Sequence, residues 1–430
     1  MRGLSGQADL LARADWRERA SAELDFRLER DVAAPLGVAF SGGGDSVALL
    51  ALAATWAARR GRRLLALTVD HGLHSDSPAW TRAAGEQACG LGAAWQGLLW
   101  TGDKPATGLP AAARRARHAL IADAARAAGA QVVLFGHTAD DLLEGERMRV
   151  VEGVGLGRLR AWSPSPAWPQ GRGVFLLRPL LHAGRAELRD WLAGQGVGWR
   201  DDPANLDLRF ARPRARAALL SEVSEPPAAV STGPESKGLS ARGWTATVDA
   251  RLLSDRSDLR MGAVAAALLC AAGGDRPPRA AQLATLASRL DRKLDFVAVL
   301  AGARIQARRD VVEFSREPGE RARGGLAPAA LFVGAPWVWD GRFELVAEAP
   351  GLVVAAVAGR AGRLARADRD RLRALPPAAR AALPLTVDAE GRVGLPRPFG
   401  AGPAVACSLA GARFAAATGA FAHERDLSAA

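Results

Sequence analysis

The chain has 430 residues, of which 49% are hydrophobic and 24% charged, with a formal net charge of +12. That length supports two or three domains with ample core, and the composition is that of an ordinary globular protein, which excludes disordered and collagen-like classes. No apolar run is long enough to span a bilayer. The opening "MRGLSGQADLLARADWRERASAEL" lacks the basic-then-apolar layout of a secretory signal, so a cytoplasmic protein with no membrane partner is expected.

Cys89, Cys270 and Cys407 lie far apart with no CxxC pair, which argues against a disulfide framework and a zinc site and for three small buried hydrophobes. The positive charge suits a polyanionic partner such as nucleic acid. Only Lys104, Lys237 and Lys293 are lysines among the 57 basic residues. Such an arginine bias also follows from GC-rich coding, so the placement of the charge says more than its amount.

In chain order, "PLGVAF" leads into the helical pattern "SVALLALAATWAARR", and "RLLALTVD" into "PAWTRAAGEQACGLG". "AWQGLLW" then precedes "LPAAARRARHALIADAARAAG", and "QVVLFG" precedes "ADDLLEGERMRVV". This alternation from about residue 30 to 220 predicts a parallel sheet with helices on both faces, whose ligands bind at the carboxyl ends of the strands. Residues 221–243 are rich in Ser, Pro and Gly and read as a linker. Beyond them "LRMGAVAAALLCAAGG" and "RAAQLATLASRLDRK" are helical patterns, and "ARIQARRDVVEFSRE" and "WVWDGRFELVAEA" are strand-like. Arg360, Arg363, Arg366 and Arg369 recur every three residues along a predicted helix. A solvated face is the default for them and a nucleic-acid contact the sharper alternative. The 12 tryptophans are expected mainly in the core.

The chemistry gathers at the strand ends. In "AFSGGGDSVALL", residues 39–50, an apolar strand meets a helix through Ser41, Gly42, Gly43, Gly44, Asp45 and Ser46. Consecutive glycines let several backbone N–H groups approach one ligand, and the helix N-terminus adds its dipole, so the stretch reads as a phosphate cradle. A tight turn with an N-cap would ask for one glycine, not three. Neither GxxxxGK[ST] nor GxGxxG fits. A carboxylate beside phosphates needs an intervening cation, which makes Asp45 a candidate magnesium ligand.

"SGGGDS" after a buried strand resembles the SGGxDS motif of the PP-loop ATP pyrophosphatases. Within them the chain resembles the tRNA(Ile)-lysidine synthase family through "DHGL" (Asp70–Leu73), "ARRARH" (Ala113–His118) and "GHTADDLLE" (Gly136–Glu144). "RPLL" (Arg178–Leu181) and "WRDDPANLDLRFARPRAR" (Trp199–Arg216) extend the match. His118 stands where the family usually has a tyrosine, Leu142, Leu143 and Gly145 also depart from its pattern, and Ala204 replaces a common serine.

The resemblance implies an α/β fold: an N-terminal Rossmann-like parallel sheet of the adenine nucleotide alpha hydrolase-like type, then a helical domain and a small mixed α/β C-terminal segment. The expected boundaries are 1–220 for the catalytic domain, 221–243 for the linker, and 244–325 and 326–430 for two tRNA-binding domains. It implies a carbon–nitrogen ligase that adenylates the wobble cytidine of an isoleucine tRNA with a CAU anticodon, then joins L-lysine to it. ATP and magnesium are the implied cofactors, and no obligate protein partner is evident. Ser41 to Ser46 would hold pyrophosphate, with His71 as a nucleotide contact. Asp141 and Glu144, three apart and so on one helix face, would receive the amino acid's charge, with His137 at the loop; alone they read as a solvated helix start. Arg114, Arg117, Arg178, Asn205, Arg209, Arg212, Arg214 and Arg216 are candidates for phosphate or tRNA. His71 and His74 form an HxxH pattern with no third ligand nearby, which argues against a metal. Two other readings remain open: a PP-loop tRNA thiolase, which usually needs paired cysteines, and a basic RNA-binding protein with a degenerate nucleotide site.

Overall fold

The computed structural model describes residues 15–30, 32–151, 159–168, 171–201, 211–219, 239–242, 245–249, 258–274, 278–292, 295–308, 311–319 and 326–429. The chain forms two compact units, one of residues up to Gly233 with Phe421–Ala430, the other Pro234–Ala420. No helix among the described residues is long and apolar enough to cross a membrane.

The first unit opens with α1 (Trp16–Arg27), N-capped by the Asp15 carboxylate, which accepts from the N–H groups of Arg17 and Glu18. Strand–helix alternation follows: β1 (Leu36–Ala39), α2 (Gly44–Arg60), β2 (Leu64–Asp70), α3 (Ser77–Gly90), β3 (Ala94–Leu99), α4 (Leu109–Ala127), β4 (Val132–Leu134) and α5 (Ala139–Val151). Then come β5 (Trp162–Pro164), β6 (Phe175–Leu177), α6 (Arg185–Gly194) and α7 (Ala211–Leu219). The strands form one sheet in the order β3-β2-β1-β4-β6-β5, parallel throughout except for β5 against β6. Val132, Val133 and Leu134 are fully buried, as a central parallel strand covered on both faces requires.

This order positions the site. From β1 the chain winds to β2 and β3 on one side, then crosses to β4 on the other, so the topological switch point lies between β1 and β4. There the loops after the two strands diverge and leave a crevice. The loop after β1 is the glycine stretch; the loop after β4 is Phe135–Thr138. Gly42 needs its freedom, with φ +78. Gly136 needs its missing side chain, because a Cβ there would sit 2.9 Å from the Asp45 carbonyl oxygen.

The second unit differs from the expected helical domain. Between 239 and 316 the helices α8 (Asp258–Ala272) and α9 (Ala280–Asp291) are present as read, with an antiparallel sheet in the order β7-β8-β11-β10-β9. Its strands are β7 (Leu239–Arg242), β8 (Thr245–Asp249), β9 (Phe296–Leu300), β10 (Ala303–Arg308) and β11 (Val311–Arg316). Strand β7 falls inside the stretch read as linker; residues 220–238 lie outside the described residues. Val264, Leu268, Ile305, Val312, Phe314 and Phe414 fill the core beneath this sheet. Two further four-stranded sheets follow, built from short strands between Ala329 and Ser408. Their shared core includes Phe343, Leu345, Leu385 and Leu395.

Three other expectations are corrected. Arg360 and Arg363 precede the helix Arg366–Arg373, because Ala365 is extended and breaks the period, so the four arginines do not share one helix. Cys89 and Cys407 are exposed, and only Cys270 is buried. The last residues return to the first unit, where Glu424 forms a buried two-pronged ion pair with Arg62 at 3.0 Å on each prong.

Gly136→Ala should destabilise the protein by about 1–3 kcal/mol through overpacking against the start of α2. Gly145→Ala, whose Cβ meets nothing within 4 Å on α5, should be neutral or stabilising by about 0.5–1 kcal/mol. Urea unfolding of the two variants beside wild type checks both signs.

Candidate active site

Gly43 N-caps α2 in an extended conformation, so the free N–H groups of the helix start face the crevice. The Ser46 hydroxyl donates to the Gly43 carbonyl at 2.8 Å, and the Ser41 hydroxyl lies 3.2 Å from that of Ser46. Trp199 and the Arg189 stem pack 3.5 Å from where a Gly44 Cβ would be, and the Arg200 N–H donates to the Gly42 carbonyl at 2.9 Å. The cradle is therefore held from inside by its own serines and from outside by residues 189–200.

Opposite it, α5 begins with an acidic turn that its dipole favours. Asp141 accepts from the Thr138 N–H at 2.8 Å and from its hydroxyl at 3.2 Å, which fixes the carboxylate at the crevice floor. Glu144 follows one turn later with its side chain 1% exposed.

Arg185, at the start of α6, joins the two sides. It lies 3.1 Å from Asp45, 4.0 Å from Asp140, 3.8 Å from Asp141 and 3.2 Å from Glu144. Its own N–H donates to Asp140 at 2.7 Å. Burial works against its charge, yet Asp45, Asp141 and Glu144 together push its pKa above the ordinary arginine value. No pattern in the sequence singled it out; its signal is its place seven residues after Arg178, where the β6–α6 turn ends.

Arg212 and Arg216, four apart on α7, share one helix face. The Arg212 guanidinium reaches Glu144 at 3.0 Å and Asp141 at 3.1 Å, and Arg216 reaches Glu144 at 2.7 Å. Asp141, Glu144, Arg212 and Arg216, all singled out from the sequence, thus converge and satisfy one another.

A second group lines the crevice from α4. The His118 ring stacks on Phe135 at 5.3 Å, and Phe135 stacks on His137 at 5.8 Å. The Arg178 Nε donates to His137 Nδ1 at 3.1 Å. That bond assigns the proton of neutral His137 to Nε2, making it a hydrogen-bond donor. Burial, then Arg178 and Arg117, hold His137 well below the usual histidine range. Burial, with Arg117 and Arg114 close by, drops His118 to about 2, and neither of its ring nitrogens has a hydrogen-bond partner. Arg117 falls to about 10 through burial and the neighbouring Arg114, and its buried Nε is unpartnered. Burial lowers Arg114 as well. Burial raises the Asp45 carboxyl against the pull of Arg185, and its Oδ1 is buried without a hydrogen-bond partner.

His71 follows β2 beside Trp100, with ring centroids 6.1 Å apart. Asn205 and Arg209 lie outside the described residues.

A PP-loop domain family matches residues 17–223. The chain is 50% identical to the tRNA(Ile)-lysidine synthase of Caulobacter vibrioides, over 87% of this chain and 89% of that protein. It is 39% identical to that of Hyphomonas neptunium (69% and 87% covered) and 37% identical to that of Mesorhizobium japonicum (84% and 83%).

The depressed histidines predict an acid limb in stability. Below about pH 6.5 the unfolded chain binds protons at His118 and His137 that the folded chain does not, so stability falls as pH drops. His118→Phe removes one such site and keeps the stack on Phe135. The stability slope between pH 6 and 4 should become shallower by up to about 1.4 kcal/mol per pH unit, read from urea unfolding at several pH values. A slope equal to wild type would show that His118 is protonated in the fold.

Proposed function

The chain belongs to the tRNA(Ile)-lysidine synthase family, and from that membership we propose that it joins free L-lysine to the wobble cytidine of an isoleucine tRNA with a CAU anticodon, using ATP. The cytidine 2-carbonyl oxygen attacks the α-phosphorus and pyrophosphate leaves. The lysine ε-amine then adds at C2, and AMP leaves with the former carbonyl oxygen. An amide-like oxygen is a poor leaving group until it carries AMP, which is why one site needs both a phosphate cradle and an amine site.

The observation that carries this reading is the meeting of those two halves at one crevice. Ser41 to Ser46 stand at the end of β1, His137 to Glu144 at the end of β4, and Arg185 bridges them through Asp45 and Glu144. The N–H groups of the glycine loop and the Ser41 and Ser46 hydroxyls receive the pyrophosphate. Asp141 and Glu144 receive the cationic charge of lysine. Arg114, Arg117 and Arg178 supply positive charge for phosphate, and His137 donates from Nε2. His71 and Asn205 are assigned to nucleotide and tRNA. The orphaned, buried Asp45 Oδ1 fits magnesium, which takes one or two carboxylates with phosphate oxygens and water. Bound there, the ion would offset charge developing on the leaving pyrophosphate. In the second unit we assign the exposed arginines of the helix Arg366–Arg373 to the tRNA backbone. A cytoplasmic location fits these substrates.

Incorporation of radiolabelled lysine into tRNA transcripts with CAU and GAU anticodons tests the proposal, and labelling only the first is the expected result. Asp45→Ala should lower both labelling and ATP–pyrophosphate exchange by ~10²-fold or more. Its urea midpoint should stay near wild type. A non-catalytic RNA-binding protein would show no exchange in either form.

Asp141→Asn should raise the half-saturating lysine concentration at least ~10-fold, because a desolvated charge pair is sensitive to losing one partner. The ATP requirement should stay within about twofold. A solvated pair would shift neither, and equal lysine half-saturation in variant and wild type would sink the lysine-site assignment.

A further inference from the structure

Asp141 and Glu144 are assigned to a cationic ligand and Arg212 and Arg216 to an anionic one, yet in the structure the four residues neutralise each other. The acids form the floor: their side chains are 9% and 1% exposed. The arginines reach over from the rim, with side chains 39% and 31% exposed. Helix α7, which carries them, buries only Ala215. Its apolar anchorage is slight, and the ion pairs to α5 carry much of its docking. Arg185 is different: α6 is anchored by the buried Leu188 and Leu192, and the guanidinium also serves Asp45 and Asp140. The α7 arginines can leave; Arg185 is built in.

The charge around the crevice points the same way. Six arginines (114, 117, 178, 185, 212 and 216) face four carboxylates (45, 140, 141 and 144), and burial keeps His118 and His137 neutral. A cationic amino acid entering this field meets Asp141 and Glu144 already paired. A phosphate reverses the situation, because it competes for the guanidinium groups with the two-pronged geometry that arginine favours.

We propose that α7 plugs the amino-acid site: Arg212 and Arg216 occupy Asp141 and Glu144 in the free chain, and lysine gains those carboxylates only after a phosphate-bearing substrate has drawn the two guanidinium groups away. Lysine is therefore the last substrate to bind. The exchange leaves no group unpaired, since the arginines trade carboxylates for phosphate and the freed carboxylates together take the cationic charge of lysine. The phosphate belongs either to the nucleotide or to the tRNA backbone. The proposal rests on the reading that Asp141 and Glu144 hold lysine.

Equilibrium dialysis of radiolabelled lysine against the full chain tests it. Three conditions are compared: protein alone, protein with magnesium and α,β-methylene-ATP, and protein with a CAU tRNA transcript. Wild type should bind lysine at least ~10-fold more tightly in one of the two anionic conditions, which identifies the phosphate's source. Equal affinity in all three overturns the plug. The Arg212→Ala/Arg216→Ala double variant should bind lysine at least ~10-fold more tightly than wild type without any anion, and lose the response. A folded double variant that binds lysine no better than wild type also overturns it. Should that variant not fold, the wild-type comparison decides alone. Asp141→Asn in the presence of both anions separates the two readings. Unchanged lysine affinity there refutes the lysine site itself and the plug with it. Weakened affinity there, with no anion effect in wild type, refutes the plug and leaves the site standing.

Discussion

The first unit's cleft depends on one buried carboxylate. Glu144 is 1% exposed and receives Arg185, Arg212 and Arg216 within 3.2 Å. A carboxylate so far from water is tolerable only when paired and hydrogen-bonded, and removing the partners of such a group costs several kcal/mol. Glu144 therefore draws the first residue of α6 and the arginine face of α7 towards α5. Because Arg185 also reaches Asp45, the same constraint draws the loop after β1 towards the helix after β4. The switch point opens the crevice, and Arg185 on this carboxylate spans it.

The neighbouring histidines are neutral first because they are buried, and then because of the arginines beside them. Burial disfavours a charge on His118 or His137, and Arg114, Arg117 and Arg178 close by add to that, so both rings stay neutral and behave as aromatics. Phe135 between them completes a stack in which only His137 keeps a polar role, accepting from Arg178 and leaving Nε2–H to donate. This accounts for the tolerance of histidine at position 118. The site needs a flat ring there, and both its nitrogens go without partners. The positive excess that remains is a standing attraction for an anion.

What could be read from the sequence was chemistry that demands particular residue types in a row. Three glycines before an aspartate, and a histidine followed by spaced acids, each require a strand end and a helix start, and the β1 and β4 loops supply both. Arg185 stayed hidden because a lone arginine opening a helix carries no pattern; its role exists only once four acids from two other segments converge on it. In the second unit the strand-like "ARIQARRDVVEFSRE" became β10 and β11, whereas β7 (LSAR) stayed hidden in a stretch whose Ser, Pro and Gly content reads as linker. The arginine period from 360 to 369 looked continuous in the sequence, but the extended Ala365 interrupts it, a backbone feature that side-chain spacing does not encode. The pairing of Arg62 with Glu424 joins residues 362 positions apart, which no local pattern can announce.

The use of arginine rather than lysine around Glu144 also constrains how the site can open. A lysine on α7 could release its carboxylate by losing a proton, since burial lowers an ammonium's pKa readily. A guanidinium keeps its charge near neutral pH. Arg212 and Arg216 free Asp141 and Glu144 by moving, and their half-exposed side chains can swing towards another anion. On the proposed plug, opening is thereby tied to the arrival of phosphate. In a two-step reaction that first transfers AMP and then admits an amine, the proposed ordering would keep the amine site closed until the phosphate chemistry is in place.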